Sequence, residues 1–366
     1  MSNNCAKCAR SHTSDHGKSC WHYHEHMANH SDRPRRATIF DVAAEANVSR
    51  GTVSRVLNDE PYVSDASRAA IEQAIAKVGY VRNMAARNLV TQSTRAVALI
   101  VHEPHSVFLE DPNIGAILLG TNDRLSEADY QLVCLIIGSD RDSSRITEYL
   151  RGGFVDGAII VSAREHDPIS AAIAQIGLPA VFVGHPSTEP NSPYVGIDNR
   201  GAARQITSRL LATGRRRVGM IAAALDRDSG AERLAGFRDA LGDQFDENLV
   251  VDFSLYSRGS GVEGMRMLLD RAPDIDGVFA SSDAIAAGAM DVLREHGRSV
   301  PRDVGIVGFD DSDWAMRCQP PLSTVRQPAD LLGREAASVI LGLVNGNAPE
   351  HVGTMLPTNI VWRESA

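Results

Sequence analysis

Between residues 38 and 89 the apolar positions recur with helical spacing, whereas beyond residue 95 they gather into short unbroken runs. Ile39, Val42, Ala43 and Ala46 fall at i, i+3, i+4 and i+7, one stripe along a helix that starts near Thr38. Asn47 tolerates a left-handed turn, and Val48 supplies an apolar plug behind it. Ser49 suits the N-cap of a second helix from Arg50 to about Leu57, with Val53, Val56 and Leu57 inward. A third helix is predicted after Ser64, burying Ala70, Ile71, Ala74, Ile75 and Val78 and ending at Gly79.

After Arg95 the strand-like runs Val97–Val101, Gln131–Ile137, Gly157–Val161 and Ala180–Val183 alternate with amphipathic stretches such as Ile114–Ala128. The alternation resumes with Val218–Ala223, Gly277–Ala280 and Val304–Gly308, interleaved with Arg233–Leu241, Val262–Leu269 and Ala284–His296. Repeated strand-helix alternation predicts parallel sheets covered by helices on both faces. The strands are too many for one small sheet, so the reading is an α/β body of two similar lobes. The predicted division is a tail over 1–36, a three-helix module over 37–82, a hinge over 83–95 and the body over 96–366.

Charge sharpens this division. The chain of 366 residues carries a net charge of -9, yet residues 33–95 hold ten Lys/Arg against six Asp/Glu, so the acidic excess lies in the body. A basic module on an acidic body points to a polyanion met by the module alone. The second helix would expose Arg50, Gly51, Ser54 and Arg55, and arginine is suited to guanine O6 and N7 in the major groove. Thr52, Ser64 and nearby amides suit phosphates. On pattern alone, a structural helical bundle with solvated arginines accounts for the same residues.

The run from Thr38 to Asn58, TIFDVAAEANVSRGTVSRVLN, followed by Val63-Ser64, Gly79-Tyr80 and Asn83, Ala86-Arg87 and Leu89, resembles the LacI/GalR (lactose-repressor) family. The resemblance implies a helix-turn-helix whose second helix selects double-stranded operator DNA through Arg50 and Gly51, with Arg55 a further contact. It adds Thr38, Ser49, Thr52, Ser54, Asn58, Ser64, Asn83 and Ala86 to the DNA-facing set. Gly51 departs from the usual pattern because it has no side chain to read a base. In that family the segment at Asn83–Val90 folds as a hinge helix on DNA and wedges a leucine, here Leu89, into the minor groove. An ordinary linker is the alternative. Arg82 stands where the family usually has proline, exchanging a rigid lead-in for a charge.

The body resembles periplasmic sugar-binding proteins and repressor cores from about Arg95 to Trp362. The matching strings are Val195-Gly-Ile-Asp198-Asn199, Arg233-Leu-Ala-Gly236-Phe237, Ser281-Ser-Asp283, Gly308-Phe-Asp310-Asp311 and Pro321 to Pro328. They imply a small-molecule effector, a sugar or related metabolite, held by Asp198, Arg233 and Asp283, with Arg227, Ser229 and Tyr256 beside them. Carboxylates accept from hydroxyls, arginine donates to ring oxygens and an aromatic ring stacks on a sugar face. Taken singly, Asp198 equally suits a helix cap, Arg233 an interlobe salt bridge and Tyr256 the core. Glu103, Phe108 and Asp111 are looser candidates, and Asp310 and Asp311 are read as loop caps.

Three of the five cysteines (Cys5, Cys8, Cys20) and six of the twelve histidines, among them His22, His24 and His26, crowd into the tail. Thiolates with imidazoles suit zinc or copper, but the spacing matches no closed zinc module and Met27 precedes a more usual repressor start. A disordered or mis-started tail, a metal site and a redox sensor all remain open, and no cofactor is otherwise implied. The body shows no P-loop, Gly-x-Ser-x-Gly or His-Glu-x-x-His pattern, which argues against an enzyme. No apolar run is long enough for a bilayer and no export signal is legible, so a cytoplasmic protein is expected. The lack of a heptad tail after Trp362 predicts a homodimer.

Overall fold

The computed structural model describes residues 37–81 and 93–366, apart from 166, 187, 188, 348 and 350. The tail candidates Cys5, Cys8, Cys20, His22, His24 and His26, and the hinge candidates Asn83, Ala86 and Leu89, lie outside the described residues. Two compact units divide at Asn83.

The first unit holds α1 (Ile39–Glu45), α2 (Arg50–Leu57) and α3 (Asp65–Val78) around Val42, Ala43, Val53, Val56, Ile71 and Ala74. Each start is capped as the sequence suggests. The Asp41 carboxylate accepts from the Thr38 amide and hydroxyl, both at 2.7 Å, while Ser49 and Ser64 accept from the amides of Thr52 and Ser67. Asn47 has φ +52° and Gly79 φ +65°, the left-handed turns that end α1 and α3.

The second unit is built on two parallel sheets. One is ordered β11-β5-β4-β3-β1-β2, from β1 (Ala96–Val101), β2 (Gln131–Ile136), β3 (Gly157–Val161), β4 (Ala180–Val183), β5 (Tyr194–Ile197) and β11 (Gly353–Leu356). The other is ordered β7-β6-β8-β9, from β6 (Val218–Ala223), β7 (Val250–Phe253), β8 (Gly277–Ala280) and β9 (Gly305–Val307). A small antiparallel pair joins β10 (Thr324–Arg326) to β12 (Asn359–Val361). The lobes are therefore alike in plan but unequal in size. β1 and β3 are buried throughout, as unbroken apolar strands of a covered parallel sheet should be, with Leu99 paired to both Cys134 and Ile159. The short strands β5, β7, β10, β11 and β12 went unpredicted, because three or four residues carry little periodic signal.

The chain passes between the lobes three times, after Ile197, after Arg326 and after Leu356. The helix Ala329–Val344 returns to the larger lobe and packs on Pro112–Ser126. That contact needs glycine, since a Cβ on Gly120 would sit 2.0 Å from the Asp330 carbonyl and one on Gly333 2.1 Å from that of Ile117.

Candidate DNA-reading face and effector cleft

On α2, Arg50, Gly51 and Arg55 are exposed and Thr52 and Ser54 are half-buried, because Val53 and Val56 turn the opposite face into the core. Asn58 is exposed at the end of the helix. The hydroxyls of Thr38, Ser49 and Ser64 already serve as caps, so what they leave at the surface is a set of helix starts beside arginines. Arg55 lies 3.9 Å from Glu60. The Arg50 guanidinium lies 5.3 Å from the centre of the Phe40 ring.

In the second unit a cavity of about 910 Å³, solvent at its mouth included, opens between the lobes. Its polar lining follows the C-terminal ends of the strands, where ligands enter open α/β sheets: Glu103 after β1, His185 after β4, Asn199 after β5, Arg227, Ser229 and Arg233 after β6, Tyr256 after β7 and Asp310 after β9. Asp111 and Asn113, at the start of the helix Pro112–Ser126, Ser162 after β3, Asp228 beside Arg227, and Gln327, on a crossover, also line it.

Both guanidiniums of this lining are already engaged. Arg227 makes a two-point ion pair with Glu103, buried on both sides, with Nη2 3.1 Å from Oε2 and Nη1 close to Oε1. Arg233 donates through Nε to Asn199 Oδ1 at 2.9 Å and through Nη1 to the Ser281 carbonyl at 2.6 Å. It also lies 3.7 Å over the Phe309 ring, 5.5 Å from that of Tyr256 and 3.6 Å from Asp310. Burial pushes the Asp310 carboxyl well above the usual carboxylate range, against the pull of Arg233 and a 2.6 Å hydrogen bond from Gln327 Nε2. Burial raises Asp111 too, although the Asn113 amide donates to it at 2.9 Å. The Tyr256 hydroxyl lies 3.3 Å from Ser229 Oγ, which leaves the ring at the cavity wall.

Four of the six effector candidates, Arg227, Ser229, Arg233 and Tyr256, therefore line this cavity. Asp198 and Asp283 do not. Asp198 is exposed and caps the helix Asn199–Leu211, accepting from the Gly201 amide at 2.7 Å, so its neighbour Asn199 faces the cavity instead. Asp283 is fully buried, accepting from Thr324 Oγ1 at 2.6 Å and from the Ser312 amide at 2.7 Å, and it ties β8 to the loop after β9 and to β10. Asp310, read from sequence as a loop cap, lines the cavity, with φ +113°, and Asp311 pairs with Arg326 and Arg363. Of the looser candidates, Glu103 and Asp111 line the cavity, while Phe108 packs on the core. His185, Asn199 and Gln327 went unread as cavity residues: Asn199 and Gln327 sit inside the matching strings but were passed over for their neighbours, and His185 lies outside every string.

Among the described residues no helix is long and apolar enough to cross a membrane. The profile of the lacI family of bacterial regulatory proteins matches residues 38–83, and that of the periplasmic binding protein-like domain matches 207–366. The HTH-type transcriptional regulator CelR of Thermobifida fusca is 44% identical over 339 residues, 91% of this chain and 99% of that protein. The HTH-type transcriptional repressor CytR of Escherichia coli (strain K12) is 31% identical over 87% of this chain and 92% of its own. Among solved structures, a CelR-cellobiose complex matches with TM-score 0.73 and 42% identity over 90% of this chain and 100% of the other. The lac repressor dimer bound to operator and the anti-inducer ONPF matches with TM-score 0.81 and 26% identity over 90% and 99%. A helix-turn-helix with exposed arginines, joined in one chain to a two-lobed ligand-binding body and related over nearly its whole length to such regulators, belongs to the lacI family of DNA-binding transcriptional regulators.

Proposed function

We propose that this chain is a cytoplasmic, dimeric, non-enzymatic repressor whose grip on operator DNA is relieved by an uncharged sugar of about disaccharide size bound between the lobes. The observation that carries the sugar is the charge balance of the cleft. Its two guanidiniums already bond to partners within the protein, Arg227 to the Glu103 carboxylate and Arg233 to Asn199 and the Ser281 carbonyl. A phosphorylated or acidic sugar would bring negative charge to a lining whose arginines, among the described residues, are both already engaged, whereas sugar hydroxyls match its carboxyl, amide and hydroxyl groups and a ring face matches Tyr256. The cleft lies at the C-terminal ends of the strands, where open α/β sheets take small ligands, and the related CelR was solved as a complex with cellobiose.

The hinge at 83–95 supplies the coupling in this reading, with Leu89 of each protomer entering one minor-groove step. A ligand changes DNA affinity only by favouring one lobe arrangement, with coupling of roughly 1–3 kcal/mol in systems of this type. Thermal shift and calorimetry with cellobiose, its 6-phosphate and its aldonic acid test the effector class. Cellobiose should raise the melting temperature and release operator DNA, and the two anions should do neither. Equal binding of the phosphate would overturn the charge argument.

A further inference from the structure

The second helix presents an unusual reading surface, and its most telling feature belongs to the first. Phe40, the second residue of α1, is 62% exposed although it is a large apolar side chain next to a well-formed core. Isolated exposed aromatics are common, but this ring lies under the guanidinium of Arg50, the first residue of α2, at 5.3 Å. Among the described residues no carboxylate ion-pairs with Arg50, in contrast to Arg55 beside Glu60 and Arg68 beside Asp59. At the next position, a Cβ built on Gly51 would meet only Ser49 Oγ at 3.6 Å. The glycine is therefore not enforced by packing, and it leaves the ground beside Arg50 open.

From these relationships we infer that Phe40 is a positioning residue for base reading: it holds Arg50 in the orientation that addresses a guanine, so that reading at this step is done by a stacked pair across two helices. This rests on α2 being the reading helix. An arginine side chain is rich in rotamers, and a bidentate contact to guanine O6 and N7 requires most of its torsions to be fixed. A ring that fixes the guanidinium beforehand, while leaving its edge free for the base, reduces that cost upon binding. A carboxylate partner would fix it too, but by occupying the donors the base needs. The adjacent Gly51 has no side chain to share in reading or holding the base, and the ring contact that Arg50 makes comes from α1.

The test is a double-mutant cycle on the intact protein with a duplex selected by it from a randomised library, its single-base variants and a random duplex, all at one salt concentration. Phe40→Leu keeps an apolar side chain without the ring, and Phe40→Tyr keeps the ring. The leucine variant should lose roughly two- to fivefold in affinity for the selected site and in discrimination at the guanine read by Arg50, with the random duplex unaffected. The tyrosine variant should restore both. In an Arg50→Ala background, Phe40→Leu should cost nothing further. An undiminished cost in that background would show that Phe40 acts independently of Arg50 and would overturn the inference. If Arg50→Ala alone left discrimination intact, the assignment of the reading helix would fail first.

Discussion

The carboxylate of Glu103, from the larger lobe, and the guanidinium of Arg227, from the smaller, meet across the cleft in a two-point ion pair with side chains only 3% and 4% exposed. Beside it Arg164 reaches Asp226 at 2.5 Å, and the Glu165 amide donates to the Asp226 carbonyl at 2.9 Å. The cleft is thus latched along one rim by contacts that exist only while the lobes are together.

Glu103→Gln should loosen this latch. Breaking a buried ion pair by removing one partner costs about 3–5 kcal/mol, because the remaining charge stays buried unpaired. Here part of that cost is avoided by opening the lobes. The expected result is a lower melting temperature without ligand and weaker effector binding, since less of the protein is in the closed arrangement. Unchanged values for both would show that the pair does not govern closure.

Asp156 should matter to DNA binding without touching DNA. Its carboxylate takes hydrogen bonds from the Ser93 hydroxyl at 2.6 Å, the Thr94 amide at 2.7 Å and hydroxyl at 2.8 Å, and the Arg95 amide at 2.9 Å, pinning the chain where it leaves residues 83–92. Asp156→Ala is expected to weaken operator binding and flatten the effector response while leaving effector affinity of the DNA-free protein intact. Leu89→Ala should act in the same direction if the hinge wedges into the groove. Binding isotherms with and without effector decide the matter, and full response in both variants would remove the hinge from the mechanism.

Asp283 predicts a pH dependence of stability rather than of ligand binding. Burial raises its pKa to about 7, opposed by the hydrogen bonds from Thr324 and Ser312. Its folded-state pKa exceeds the unfolded value near 4, so its contribution is complete below about pH 4 and is lost as the pH rises through about 7. Asp283→Asn, which stays neutral, should gain in melting temperature relative to the parent between pH 5 and pH 8. Asp283→Ala should lose at every pH, by about 1–3 kcal/mol for each donor left unsatisfied. A constant difference between the Asn variant and the parent across that range would show that Asp283 does not titrate there.

The chain's own periodicity determined the helix-turn-helix, because caps, stripe and turn act within a few residues: Thr38 with Asp41, Ser49 with Thr52, Asn47 in its left-handed turn. It also determined the buried strands, whose unbroken apolar runs suit a sheet covered on both faces. Tertiary structure alone decided which polar residues share the cleft. Glu103 and Arg227 are 124 positions apart and meet only because both follow strands whose C-terminal ends face one gap. It also decided between neighbours, sending Asn199 rather than Asp198 and Asp310 rather than Asp311 to the cavity. Residues between a strand and a helix follow no period, so the direction of each side chain is set by a single backbone turn, such as φ +113° at Asp310, that the packing of both lobes imposes.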